Sequence, residues 1–357
     1  MIVLNESQLR DLVDADGARA VVTDAFRALE RGEATLANVI SLAFTDPAGA
    51  VHIKAGHLHD DAVWTVKVSG DFYPRDGSGT RHSGLMLVLS ATDGSPVAML
   101  VDNGYLTELR TGAAGAIAAD LLAREDADTV AAIGAGSQAR YQLHALLRVR
   151  TIERVNITSR SPERAQVLAR EIEMTYGLSS QVFESVEHAV RGADIVVTTT
   201  PSRTPLVEAA WLDAGAHVTA VGSDEPDKQE LAPDVLARAD VVAVDDRRQA
   251  ARFGELHHAI DAGFIVEDEV VTLGELLEGT ARGRTGADDL TVADLTGVGV
   301  QDAAIAALAA RESARLHATH LASRGDRRTH QPPTPSPVAE RQSASTKTGP
   351  VVDGGAS

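Results

Sequence analysis

The sequence predicts an α/β protein, a doubly wound parallel sheet joined to a smaller α+β domain. Three observations carry that prediction. From Asp128 onward, short β-type runs alternate with helical stretches. From Val39 to Val101, β-type runs follow one another with only turns between them. Finally, the string VAAIGAGSQA at 130–139 stands where a strand gives way to a helix. A length of 357 residues, 44% of them hydrophobic, suits two domains with sizeable cores.

The elements follow in order. Asn5-Glu6-Ser7-Gln8 is a helix-start signal, and apolar residues at helical spacing from Leu9 to Leu29 extend one helix that Gly32 closes. The runs VISLAF, AVHIKAG, VWTVKVS, GLMLVLS and PVAMLVD are then parted by DPAG, RDGSG and TDGSP, a sheet of hairpins. Thr107–Leu122 is a helix rich in alanine and glycine, suited to close packing. TVAAIGAG, RVNITS, SQVFES, DIVVTTT, HVTAVGS and VVAVDD are β-type runs, most of them separated by helical stretches, which implies a mostly parallel sheet. LTVADLTG at 290–297 precedes a long helical pattern from Val300 to about Ala322, which can return to the N-terminal sheet. The expected organisation is therefore 1–124 with 300–323 as a substrate and dimerisation domain, 125–299 as a nucleotide-binding domain, and 324–357 as a disordered tail rich in Pro, Ser, Thr and Gly.

Composition narrows the chemistry. With no cysteine, disulfides, thiolate catalysis and Cys-ligated metals are excluded. A formal charge of −18 argues against general affinity for nucleic acid or anionic membrane. The N-terminus lacks a basic, apolar leader, and the apolar runs fall short of the roughly 20 residues that span a bilayer. The chain reads as cytoplasmic. His57, His59 and His82 lie on the cleft strands, but no metal-ligand spacing links them, so no metal is expected. His257 and His258 read as surface or packing residues.

The string at 130–139 is a G-x-G-x-x-A fingerprint in its confirming context of strand, turn, helix and second strand. Gly134 makes the tight turn, Gly136 lets the backbone approach a pyrophosphate, and Ala139 allows close helix–strand packing. Ser137 and Gln138 open the helix, whose free N–H groups and positive dipole end suit phosphate. Thr199 and Thr200, at the end of DIVVTTT, join the cofactor set of this Rossmann-type domain. The second strand ends at Ser159 and Arg160 where an NAD enzyme usually carries an acid for the ribose. NADP is therefore favoured over NAD.

Together, VKVSGDFYP around Lys67, NGYLTELRTGAAGAIAA around Arg110, VAAIGAGSQAR, GAHVTAVGSDEPDKQEL around Asp224 and DLTGVGVQD at 294–302 resemble the ornithine cyclodeaminase/μ-crystallin family, over residues 1 to about 320. That family includes cyclodeaminases, ketimine reductases, an alanine dehydrogenase group and iminosuccinate reductases. The resemblance implies a homodimer with its cleft between a dimerising domain and a Rossmann domain, acting on a small amino or imino acid. It also implies that Lys67 polarises or protonates the substrate, that Arg110 grips the α-carboxylate, and that Asp224 is the acid–base group facing the substrate nitrogen. Read without the resemblance, Lys67 is equally a polar-face strand residue, Arg110 a helix-end cation and Asp224 a helix N-cap before PDKQEL.

The sequence also departs from the family. The early strand Asn38–Phe44 lacks the arginine usual there, and Lys54 appears where cyclodeaminases and ketimine reductases more often have methionine. Lys54 either replaces that arginine on the α-carboxylate or meets a second carboxylate, as in iminosuccinate. Ser223-Asp224-Glu225-Pro226-Asp227 is closer to the dehydrogenase and reductase members than to cyclodeaminases. The expected activity is therefore NAD(P)H-dependent reduction of an imino acid, or its reverse. The alternatives are a cyclodeaminase lyase and a non-catalytic NADPH-binding protein.

Overall fold

The computed structural model describes residues 1–73 and 81–328. The RDGSG turn and most of the expected tail lie outside the described residues. The chain divides into a compact unit, Met1–Ala314, and a second unit from Arg315.

Two large sheets organise the first unit. The mixed sheet contains β1 (Ile2–Asn5), β2 (Ala34–Leu36), β3 (Ile40–Thr45), β4 (Ala48–Leu58), β5 (Val63–Tyr73), β6 (Arg81–Ser90) and β7 (Pro96–Val101). Its order is β1-β7-β6-β5-β4-β2, with β3 also on β4. The hairpin strands are antiparallel as the turn signals predict, and β1 adds in parallel to β7. The parallel sheet contains β8 (Thr129–Ile133), β9 (Arg154–Thr158), β10 (Ser179–Val182), β11 (Ile195–Thr198), β13 (His217–Ala220), β15 (Val241–Val244), β16 (Val271–Thr272) and β17 (Thr291–Asp294). Between these, β12 (Arg203–Val207) and β14 (Gln229–Leu231) form a separate two-stranded sheet. The order β10-β9-β8-β11-β13-β17-β15-β16 reverses direction between β8 and β11. Such a switch point opens a crevice at the strands' carboxyl ends.

The helices are α1 (Glu6–Leu12), α2 (Ala15–Glu30), α3 (Tyr105–Leu122), α4 (Ser137–Leu146), α5 (Pro162–Tyr176), α6 (Val186–Val190), α7 (Pro233–Arg238), α8 (Arg247–Ala250), α9 (Gly254–Asp261), α10 (Leu273–Glu278) and α11 (Gly299–Arg328). Strand alternation sends Val130 and Ala132 into one core with α4 and α5, and Ala131 and Ile133 into another with α7 and α9. The third core lies under the mixed sheet and takes Val300, Ile305 and Ala309 from α11 beside Met86, Val88 and Leu100.

Two expectations need correction. The first helix is two: Asp14 accepts the Gly17 N–H at 2.8 Å and starts α2 afresh, so a capping side chain overrides continuous apolar spacing. And α11 runs on to Arg328, into the segment expected to be disordered.

Candidate active site

The first half of the site is the loop after β8. Gly134 has φ +116°, and a Cβ there would lie 2.6 Å from Thr199 Oγ1 at the end of β11. Only glycine fits this turn without strain. A Cβ on Gly136 would meet nothing within 4 Å, so that backbone faces open space. Gly136 is also the N-cap of α4 and supplies no side-chain hydrogen bond, leaving first-turn N–H groups for an anion. Ala139 is buried against β8 and α5 residues. Thr200 N–H donates to Glu230, and Ser159 and the exposed Arg160 follow the end of β9. These residues fit a dinucleotide: an open glycine cradle, an uncapped helix start and a switch-point crevice.

Helix α3 carries the substrate side up to this loop. Its small residues allow a close crossing, since a Cβ on Gly112 would meet the Tyr141 carbonyl of α4 at 2.7 Å. Glu108 of α3 accepts a hydrogen bond from Gln138 Nε2 of the nucleotide loop. Two contacts therefore join the cofactor cradle to the helix bearing Arg110.

The second half is a buried cluster of cations. Lys54 on β4 and Lys67 on β5 are direct cross-strand partners, so both point to one face. Lys67 Nζ lies 3.0 Å and Arg110 Nε 3.1 Å from the same oxygen, Asp302 Oδ1. Arg110 also donates to Gln301 Oε1 at 3.0 Å. Its guanidinium packs on Gly297, where a Cβ would come within 2.6 Å of it. Lys54 Nζ donates to the Thr296 and Gly297 carbonyls at 3.1 and 2.6 Å, using two of its three N–H bonds. The strand and the loop touch directly, because a Cβ on Gly56 would lie 2.6 Å from the Gly299 carbonyl.

This crowding sets the charges. Burial, then the Arg110 charge, pushes Lys67 down to about 7 despite Asp302. Lys54 is lowered by burial and by Arg110. Asp302 is fully buried, yet the Lys67 and Arg110 charges outweigh that burial and hold it below the usual carboxylate range. Its second oxygen, Oδ2, has no hydrogen-bond partner among the described residues.

Asp224 approaches from the parallel sheet, in the loop after β13. No helix follows it, so the N-cap alternative fails: the chain turns straight into β14. Its Oδ1 accepts from Lys228 Nζ at 2.7 Å, and its side chain is 39% exposed, open to a ligand. Its partial burial would raise its pKa, but the Lys228 and Lys54 ammonium groups outweigh it and keep the carboxylate ionised. The loop is held from beneath. Glu230 accepts from Gly222 N–H, and Ser223 Oγ and His258 Nε2 both donate to the Lys228 carbonyl, at 2.6 and 2.7 Å. His258 is thus part of the loop's support, more than the surface or packing role read from its sequence. Lys67 and Arg110 are neither polar-face nor helix-end residues, since both are buried and face inward.

Sequence reasoning missed Asp302, Gln301, Lys228 and Glu108. The signal for Asp302 was present: a single acid opening the apolar stretch QDAAIAALAA must meet a buried cation. His57 and His59 take local partners, the Asp61 carbonyl and Thr35, and His82 pairs with Asp71 at 2.6 Å. Among the described residues no group of His, Asp and Glu is placed to hold a metal ion, and no helix is long and apolar enough to cross a membrane.

Comparison with known proteins places these features in a family. Residues 2–316 match the model of the ornithine cyclodeaminase/mu-crystallin family. An uncharacterized cyclodeaminase of Sinorhizobium fredii is 43% identical over 313 residues, 87% of this chain and 95% of its own. The alanine dehydrogenase of Archaeoglobus fulgidus is 38% identical over 308 residues, 85% of this chain and 92% of its own. The structure of Thermococcus litoralis Delta(1)-pyrroline-2-carboxylate reductase, in complex with NADH and L-proline, superposes with a TM-score of 0.84 at 27% identity, covering 89% of this chain and 98% of that one.

Proposed function

The chain belongs to the ornithine cyclodeaminase/mu-crystallin family, and from that premise we propose that it reduces the C=N bond of a small imino acid with NAD(P)H, or oxidises the corresponding amino acid. It is an NAD(P)-dependent oxidoreductase. One observation carries the assignment of roles: a buried cation cluster, two of whose members share Asp302, faces a carboxylate that has one oxygen engaged by Lys228.

Lys67 and Arg110 share Asp302, and Lys54 stands beside Lys67 on the next strand, which leaves positive charge for the substrate carboxylate. Arginine's planar fork suits that group. Asp224, held ionised, pairs with the substrate nitrogen as iminium or ammonium. Lys67, poised near 7, is the group that moves the proton. In reduction it gives its proton to the imine nitrogen and takes another from water afterwards. Bound reduced nicotinamide supplies the hydride to the imine carbon. The residues hold that carbon, exclude water from the cations and fix the geometry.

The cofactor set is Gly134, Gly136, Ser137, Gln138, Ala139, Ser159, Arg160, Thr199 and Thr200, with Arg160 favouring NADP. Lys54 has one N–H bond left, for the α-carboxylate or for a second carboxylate of a substrate such as iminosuccinate. The working form is a homodimer. Its support in this chain is β3, whose Ile40, Leu42 and Phe44 are 54%, 51% and 44% exposed, and a mass measurement by light scattering tests it.

The deciding experiment follows NADH and NADPH absorbance with 2-oxo acids plus ammonia or methylamine, oxaloacetate plus ammonia, and cyclic imines. Consumption of reduced cofactor with one of these identifies the substrate class. Ornithine with catalytic NAD tests the second reading, a cyclodeaminase, which the Sinorhizobium relative's name favours. Proline and ammonia without net cofactor consumption would establish it. Tight NADPH binding with no turnover in either assay would instead indicate the non-catalytic binding protein.

A further inference from the structure

We infer that His52 is a positioning residue for this reaction, acting through Glu225 and Lys228 on Asp224. The inference rests on the reading of Asp224 as the group that meets the substrate nitrogen. His52 lies in the β-type run AVHIKAG, where the sequence alone assigned it no role. It sits on β4, two residues before Lys54, and so shares its face of the sheet. A continuous polar chain runs from it across the cleft. Ser41 Oγ of β3 lies 3.0 Å from His52 Nδ1, and His52 Nε2 lies 3.3 Å from Glu225 Oε1. Glu225 Oε1 is 3.0 Å from Lys228 Nζ, which is 2.7 Å from Asp224 Oδ1.

The directions follow from the groups. A carboxylate only accepts, so His52 Nε2 donates to Glu225, and in the neutral ring Nδ1 accepts from the Ser41 hydroxyl. Glu225, Lys228 and Asp224 then alternate in charge, and a substrate iminium or ammonium on Asp224 continues the alternation. The backbone of the 222–230 loop is already pinned by Glu230, Ser223 and His258. That pinning does not choose where the long Lys228 side chain points. Its ammonium is shared between Asp224 and Glu225, and the direction of Glu225 is fixed by His52 from the other sheet. Histidine's bond to Glu225 therefore sets how Lys228 presents Asp224 to the substrate. Charge-assisted contacts of this kind act as a unit, so removing one end is felt at the other.

The test compares His52→Phe, which keeps the ring shape and removes both polar contacts, with His52→Gln, whose amide can still donate to Glu225. Each is assayed by NADH and NADPH consumption with Δ1-pyrroline-2-carboxylate, pyruvate plus ammonia and oxaloacetate plus ammonia. Thermal midpoints and cofactor affinity by nicotinamide fluorescence are measured alongside. The expected result for His52→Phe is a fall in kcat of about tenfold, with KM and cofactor Kd within about twofold of the parent. His52→Gln recovers most of the loss. Adding His52→Phe to Asp224→Asn lowers kcat no further than Asp224→Asn alone, because the two act on one group. A parent-like kcat for His52→Phe beside a crippled Asp224→Asn overturns the inference and leaves the proposed function standing. Losses that multiply in the double variant overturn it equally. Parent-like turnover by Asp224→Asn overturns the reading of Asp224, and the inference with it.

Discussion

Replacing Asp302 by asparagine keeps the shape of the side chain and removes the one charge shared by Lys67 and Arg110. At an effective dielectric of about 20, a unit charge 3.0 Å from Lys67 Nζ is worth on the order of 5 kcal/mol. That figure is an upper bound on the change, since the asparagine carbonyl still accepts a hydrogen bond and the loosened pocket admits water. With about 1.4 kcal/mol per pKa unit, a fall of about one to two units for Lys67 is the conservative expectation. The sign follows from its role. Reduction needs protonated Lys67, so kcat/KM in the parent declines as pH rises through about 7. In the variant the decline begins about one to two units lower, and amino acid oxidation, which needs the neutral amine, gains ground in the same range. Leaving buried cations without their counter-ion also costs stability, typically about 3–5 kcal/mol. The assay is a pH–rate profile from pH 5 to 9 in both directions, with thermal midpoints confirming that each sample is folded. A break that stays near 7 in the variant would refute Asp302 as the group that sets Lys67. No break between pH 6 and 8 in the parent would refute Lys67 as the proton carrier.

Other perturbations probe separate parts of the molecule. Gly134→Ala places a methyl group 2.6 Å from Thr199 Oγ1 at a φ of +116°, so NADH affinity by fluorescence titration should fall at least about tenfold. Lys54→Met should raise KM for a dicarboxylic substrate by roughly tens-fold if the free N–H binds its second carboxylate; an unchanged KM rules that out. Arg160→Ala should weaken NADPH by about tenfold or more and NADH by less than about threefold, and equal losses would remove the basis for favouring NADP. His217 is fully buried between Thr219 and Thr291, and burial pushes it down to about 3. Its folded pKa lies below the unfolded value, so the unfolded chain binds the extra proton, and stability is lost as pH falls from about 6.5 toward 3. The loss amounts to as much as about 5 kcal/mol in full and about 3 kcal/mol by pH 4, and His217→Val should flatten the difference between urea midpoints at pH 7 and pH 4.

Much of this was legible in the sequence because the controlling physics is local. The glycine turn after β8, the uncapped start of α4 and the alternating strands are set by neighbours within a few residues. The same holds for the hairpins of the mixed sheet. Where a local signal misled, a competing local effect had been underweighted: Asp14 capped a new helix inside a continuous apolar pattern.

The sequence by itself therefore determined the two kinds of sheet, the nucleotide loop and the residue types available for chemistry. It also placed Lys54, Lys67, Arg110 and Asp224 on named elements. The tertiary structure alone decided what surrounds them and hence how they are charged. Asp302 reaches Lys67 across 235 residues of chain and Arg110 across 192. His52 reaches Glu225 across 173. A lysine's proton affinity depends on burial and on every charge within several ångströms, and neither quantity follows from sequence spacing. Lys67 is poised near neutrality, and Asp224 ionised, only because chain folding carries strand, helix and loop to one place.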